Sequence, residues 1–317
     1  YNLPSRQAMY RWFNEHLDLG IANPENERPH KLLTEKDLTV FDRDHPKPVG
    51  GDDFERALLA SLADEASATI SRNPEIARKG WNSILGTSLR DTGVVEWQLT
   101  DKNDRGSYLE MPGLHNNRTK GQQVPVIWLY PKNWKRHAAI FLSAHGKSGL
   151  YNEQGDPRPE VRALLKDGVS VCGIDLFQQG EFLRDGKPVT ETRRVKNPRE
   201  AACYTQGYNR PLFAQRVADI LSAIRLIQTD QHGAKKITLV GLAGSGHWAA
   251  AAHFLAGKAI HRAAIESSNF DFIKVTDIRH PDLMPGASKY GGMKGLLDLA
   301  SQKAWNVDAN GLPEWLK

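Results

Sequence analysis

The sequence predicts an α/β fold: a mostly parallel, doubly wound sheet, preceded by antiparallel strands and lacking its last strand. Two observations carry this. Four short apolar runs, 138–146 (AAIFLSAHG), 169–177 (VSVCGIDLF), 236–244 (KITLVGLAG) and 260–268 (IHRAAIESS), are separated by helical patterns or loops. Strands that are apolar throughout are buried on both faces, as in a parallel sheet covered by helices. Ahead of them, VVEWQLT, GSYLEMPG and QVPVIWLYP alternate and are rich in β-formers, the pattern of antiparallel strands.

The elements follow in order. Residues 4–20 predict a helix capped by Ser5, with an apolar stripe of Met9, Trp12, Phe13 and Leu17 and a stop at Gly20. Residues 21–50 are rich in Pro, Asn, Asp and Gly and predict an extended linker. Helices are expected at 53–71 and 74–85. VRALLKDG follows the first apolar run, RPLFAQRVADILSAIRLIQ (210–228) the second, and HWAAAAHFLAG the third. KAWNVDA (303–309) predicts the penultimate strand, with no segment left for a final one.

Composition narrows the function classes. The 317 residues are 40% hydrophobic and 25% charged, an ordinary globular balance. No apolar run is long enough to span a membrane. The net charge of +5 is scattered, so nucleic acid is not an expected partner. Two cysteines, Cys172 and Cys203, supply neither a disulfide framework nor a four-cysteine zinc site; both are expected as reduced thiols. No metal-binding spacing is present, so neither a metal nor a cofactor is expected.

In such sheets function gathers at the carboxyl ends of the strands. The first end carries His145-Gly146, which resembles the oxyanion-side loop of α/β-hydrolases, where a flexible backbone turns N–H groups toward a developing negative oxygen. It is not a phosphate-binding P-loop, because Phe141 stands where that motif needs glycine. The second end carries Asp175, expected to be structural. The third, Gly241-Leu242-Ala243-Gly244-Ser245-Gly246, sits between strand and helix, where a nucleophile elbow belongs. Aligning G-x-S-x-G puts Ala243 at the serine, and a methyl group cannot attack a carbonyl. Ser245 lies two residues further and is expected to start the helix, away from the site. Glu266 ends the fourth strand as a pocket candidate, with His247 and Trp248 beside the elbow. Of the later histidines, His247, His253, His261 and His280, none follows a late strand as a triad histidine does.

From about 35 to 300 the chain resembles the second half of bacterial tandem α/β-hydrolases of the acetylxylan-esterase-like or dienelactone-hydrolase-like group. The resemblance rests on LTVFDRDHPKP, AHGKSGLY, EVRALLKDGVSVCGIDLFQQGEF, Tyr204 to Pro211, VGLAGSG and LMPGASKYGGMKGL. Residues 1–20 resemble the terminal helix of a preceding hydrolase domain, so the expected organisation is that helix, a linker over 21–50, and a degenerate hydrolase domain over 51–317. The resemblance implies ester hydrolysis, of acylated carbohydrate, for the parent protein, and a periplasmic or secreted location. It makes this segment a non-catalytic scaffold or ligand-binding partner of an active domain, or of another copy of the chain. Two alternatives stand beside it. One is an active ester hydrolase with Ser245 as a shifted nucleophile. The other is a nicotinamide-dinucleotide-binding oxidoreductase, for which the strand, the Gly241, Gly244 and Gly246 turn and the later Glu266 are the ingredients, though spaced G-x-x-G-x-G.

Overall fold

The computed structural model describes residues 2–27, 29–48, 50–192, 207–230, 233–267 and 270–317. Cys203, Tyr204, Thr205, Gln206 and Ser268, which figure in the sequence reading, lie outside the described residues. The chain forms two compact units, Tyr1–Leu59 and Ala60–Lys317.

In the first unit, α1 spans Leu3–His16. Its cap is Asn2 rather than Ser5: the Asn2 carboxamide accepts the Ser5 N–H at 3.2 Å. The helix also stops before Gly20. Asp18 turns left-handed at φ +51°, and the Asn14 side chain bonds both the N–H (2.8 Å) and the carbonyl (3.0 Å) of Ile21, folding the chain back. The Arg6 guanidinium then grips Glu27 at 2.6 and 2.9 Å, with the Tyr10 hydroxyl on the same carboxylate at 2.9 Å. A short helix, α2 (Glu35–Leu38), opens on a Thr34–Asp37 capping box. The expected stripe is wet: Trp12, Phe13 and Leu17 are exposed. Helix α3 (Asp52–Arg72) carries the boundary between the units.

The second unit contains a nine-stranded sheet. Its strands are β1 (Val95–Leu99), β2 (Asn103–Asp104), β3 (Tyr108–Asn117), β4 (Gln122–Pro131), β5 (His137–Leu142), β6 (Val169–Ile174), β7 (Lys236–Gly241), β8 (Arg262–Ile265) and β9 (Trp305–Asn306). The order is β1-β3-β4-β6-β5-β7-β8-β9, with β2 beside β3. β1, β3, β4 and β6 pair antiparallel in succession; β6, β5, β7, β8 and β9 are parallel. The two-residue β9 is the outermost strand on its side.

Six helices accompany the sheet among the described residues: α4 (Pro74–Leu85), α5 (Pro159–Lys166), α6 (Leu212–Thr229), α7 (Gly246–Ala256), α8 (Gly292–Leu299) and α9 (Val307–Asn310). Alternation along the strands divides the core in two. Ala138, Ile140 and Leu142 of β5, with Cys172 and Ile174 of β6, join α4, α6, α7 and α8 on one face. Ala139, Phe141, Val169 and Val171 join Val161, Leu164 and Leu165 of α5 on the other. The sheet is therefore covered on both faces, which is why its central strands carry no polar alternation. Burial pushes the Cys172 thiol far above its ordinary range, so it stays protonated and inert.

Candidate active-site cleft

The turn from β7 to α7 is the sharpest element of the site. Ala243 takes φ +49°, a left-handed conformation that costs a residue with a Cβ about 1–2 kcal/mol. Its surroundings hold it there. The Ala243 carbonyl accepts the Ala144 N–H at 3.1 Å, and the Glu266 N–H bonds the Gly241 carbonyl at 2.9 Å. The helix starts so close to β8 that a Cβ on Gly246 would lie 1.5 Å from the Glu266 carbonyl oxygen. Such a strained strand-to-helix turn is how α/β-hydrolases present a nucleophile. Here the exposed residue at its apex is alanine.

Ser245 is placed differently. It is fully buried at the start of α7, and its hydroxyl donates to the Leu242 carbonyl at 2.8 Å.

The loop after β5 walls the cleft, and Asp175 holds it. Asp175 is buried at the end of β6. Its Oδ1 accepts the Lys147 N–H at 2.8 Å, its Oδ2 accepts the Glu181 N–H at 3.0 Å, and the Lys147 ammonium is 3.3 Å away. Lys147 also pairs with Glu181. Both loops crowd this carboxylate: a Cβ on Gly146 or Gly180 would come within 2.2 Å of it. Gln179 adds a second brace, donating to the Ala144 carbonyl at 3.0 Å and accepting the Leu176 N–H at 3.2 Å. Asp175 is thus a staple between two loops.

The backbone donors of the oxyanion loop are engaged internally. The His145 N–H reaches the Ser143 hydroxyl at 3.1 Å, and the Gly146 N–H the Ser143 carbonyl at 3.1 Å. The Gly244 N–H, next to the apex, donates to the Glu266 carboxylate at 3.3 Å. A carboxylate therefore stands at the pole where an acyl-transfer enzyme would gather negative charge.

The cleft holds about 460 Å³ between these loops, α6, α7 and the segment around His280. Under it lies a cluster centred on Asp282. Its Oδ1 accepts the Trp248 indole N–H at 2.7 Å and the Arg216 guanidinium at 3.4 Å, and lies 3.3 Å from His247 Nε2. The His247 approach is an ion-pair distance without the direction of a hydrogen bond. Burial pushes the Asp282 carboxyl up, but His247, Arg216 and Trp248 outweigh it and hold it below the usual range. The guanidinium also covers the Trp248 face, 4.7 Å from the ring centroid, and His247 is stacked on Phe270 at 4.0 Å. His247 and Trp248 are therefore buried framework rather than open surfaces. His280 lines the cleft, and its Nδ1 accepts the Asp282 N–H at 3.0 Å, so a neutral imidazole there carries its proton on Nε2.

The sequence reading missed Arg216, Gln179 and Asp282. The signal for Arg216 was present: Arg216 and Asp219 stand one turn apart among the apolar residues of a helix, and both are buried. Asp308, just past β9, accepts the backbone N–H of Ser267 and its hydroxyl at 3.2 Å. Among the described residues no group of three or more His, Cys, Asp or Glu is placed to hold a metal ion. No described helix is long and apolar enough to cross a membrane.

No family model matches the chain, and no curated protein sequence matches it. Solved structures do. A Bacteroides fragilis protein assigned as an acetyl xylan esterase aligns with a TM-score of 0.52 at 12% identity, over 84% of this chain and 76% of that one. Acetyl Xylan Esterase 1 from Thermoanaerobacterium sp. JW/SL YS485 aligns with a TM-score of 0.47 at 14% identity, over 72% and 76%. The similarity of the first establishes the fold: the sheet order, the antiparallel leading strands and the flanking helices are those of an α/β-hydrolase.

Proposed function

We propose that residues 60–317 form an esterase-like α/β-hydrolase domain whose elbow performs no nucleophilic chemistry. The domain serves as a scaffold or ligand-binding partner of an active ester hydrolase, with acylated carbohydrate as the ligand class. The observation that carries this reading is Ala243 at the apex of the turn, φ +49°. The strained geometry of a nucleophile elbow is kept, and the group that would attack is a methyl.

Two further features support it. Glu266 on the Gly244 N–H opposes a second negative charge, so a tetrahedral oxyanion is not stabilised there. Neither His247 nor His280 is set as a base toward Ala243. His247 is buried against Phe270 and Asp282, and His280 Nδ1 already accepts the Asp282 N–H. The same Glu266 contact disfavours a dinucleotide, because the helix start that would receive a pyrophosphate already receives a carboxylate. Ser245 as nucleophile is disfavoured by its burial and its bond to Leu242. For ligand binding, Gln178, Thr190, His145 and Ser148 line the cleft with groups that pair with sugar hydroxyls.

A fluorophosphonate probe tests the reading. The wild-type chain and Ala243→Ser should both remain unlabelled, because a serine hydroxyl needs a base within about 3 Å to react. Labelling of the wild type that maps to Ser245, or rapid labelling of Ala243→Ser, would overturn it.

A further inference from the structure

A second cleft, of about 470 Å³, lies at the other end of the sheet. The residues of β5 and β6 that reach it, Ala138 and Ser170, stand at the amino ends of those strands, whereas the elbow leaves the carboxyl end of β7. Six-residue strands separate the two ends by roughly 20 Å.

One face of the antiparallel strands builds its wall. Pairing puts Met111 opposite Trp128, and Trp97 opposite His115. Alternate residues share a face, so the Trp97, Met111, Trp128 and Tyr130 side chains meet there. Gly113 is required: a Cβ at that position would come within 2.5 Å of the Trp97 ring. Trp134 joins from beyond β4, its ring 5.0 Å from that of Tyr130.

The polar handles of two of these rings are already used. The Trp128 indole N–H donates to His115 Nε2 at 3.3 Å, and the Trp134 N–H to the His137 carbonyl at 2.9 Å. What they offer the cleft is π surface. The rest of the lining is mainly aliphatic; its polar side chains are Ser170 and Asp230, the latter already partnered, so the hydroxyls of a buried sugar would find few partners. At the mouth stands Lys102, whose ammonium has no ion pair among the described residues; the neighbouring carboxylate of Asp104 is taken by Lys132 at 3.0 Å. An apolar slot with an unpaired cation at its rim, and with its carboxylate already engaged, is complementary to one kind of molecule. We propose that this cleft binds a small planar aromatic anion, its ring against the indole and phenol faces and its anionic group on Lys102. The volume is that of a small-ligand site, about 300–1,000 Å³.

The test uses the full chain with carbon-13-labelled methionine methyls and 2-naphthoate as the probe. Met111 lines the cleft, whereas Met284 and Met293 are buried in the helix-covered core. The Met111 resonance should shift saturably with a dissociation constant on the order of 1 mM or tighter, the affinity of a ligand with so few non-hydrogen atoms, while the other methionines stay in place. Lys102→Ala should weaken 2-naphthoate about three- to five-fold, the value of one exposed ion pair, and leave neutral 2-naphthamide unchanged. Three results would each overturn the proposal: an unmoved Met111 at the solubility limit of the probe, equal affinity in Lys102→Ala, or a Met111 shift produced by xylotriose and not by 2-naphthoate.

Discussion

Replacing Asp175 with asparagine removes the staple between the two loops that wall the elbow cleft. The carboxylate accepts the Lys147 N–H at 2.8 Å and the Glu181 N–H at 3.0 Å, with the Lys147 ammonium at 3.3 Å. Asparagine keeps one acceptor and turns an NH2 group toward the other N–H. A hydrogen bond to a buried charged acceptor is worth about 1.5–3 kcal/mol, and the ammonium contributes less because Glu181 also holds it. A loss of about 2–3 kcal/mol follows. For a domain of this size that lowers the melting temperature by about 5–10 °C. Differential scanning calorimetry of the full chain, following the larger unit, reads it. Gly146→Ala should act in the same direction, because its Cβ meets the same carboxylate oxygen at 2.2 Å and its φ of +64° is strained for alanine. If Asp175→Asn melts within about 1 °C of the wild type, the loops are held by something else and the assigned role is wrong.

Other perturbations separate the remaining claims. Burial pushes the Asp219 carboxyl up to about 7, against the Phe177 N–H and Arg216, which favour the ionised form. The folded state therefore holds this proton more tightly than the unfolded chain, whose aspartate titrates near 3.9. The stability it contributes is complete below about pH 4 and is lost as the pH rises through about 7. The urea midpoint of the wild type should fall over that range relative to Asp219→Asn, and parallel pH profiles would contradict the assignment. Gly246→Ala should destabilise by several kcal/mol, or not fold, since backbone cannot yield 1.5 Å without separating α7 from β8; near-wild-type thermal unfolding would refute that packing.

The central strands were legible because a strand buried on both faces is a near-continuous apolar run, and β5, β6 and β7 are so apart from His137, Ser170, Lys236 and Thr238. The elbow was legible from its glycines, since the closeness of Gly246 to Glu266 tolerates nothing larger. The cleft floor was not. Arg216 and Asp219 on one helix hint at a buried polar pair, but their partners Asp282 and Phe177 lie far away in sequence and only the fold brings them together. Helix α8 was missed for a related reason. Its glycines disfavour a helix locally, and its position is fixed by contacts distant in sequence, such as the Trp81 indole on the Tyr290 carbonyl at 2.9 Å just before it. The cap of α1 fell on Asn2 instead of Ser5, a shift at a helix boundary that periodicity does not decide.

The most direct test of the central claim is hydrolysis of p-nitrophenyl acetate by the purified wild-type chain on its own. With a methyl at the elbow apex and Glu266 on the adjacent N–H, release of p-nitrophenol should match that of an equal concentration of the unfolded chain, with no saturation in substrate. Saturable turnover that disappears in Ser245→Ala would place a working nucleophile in this cleft and contradict the account.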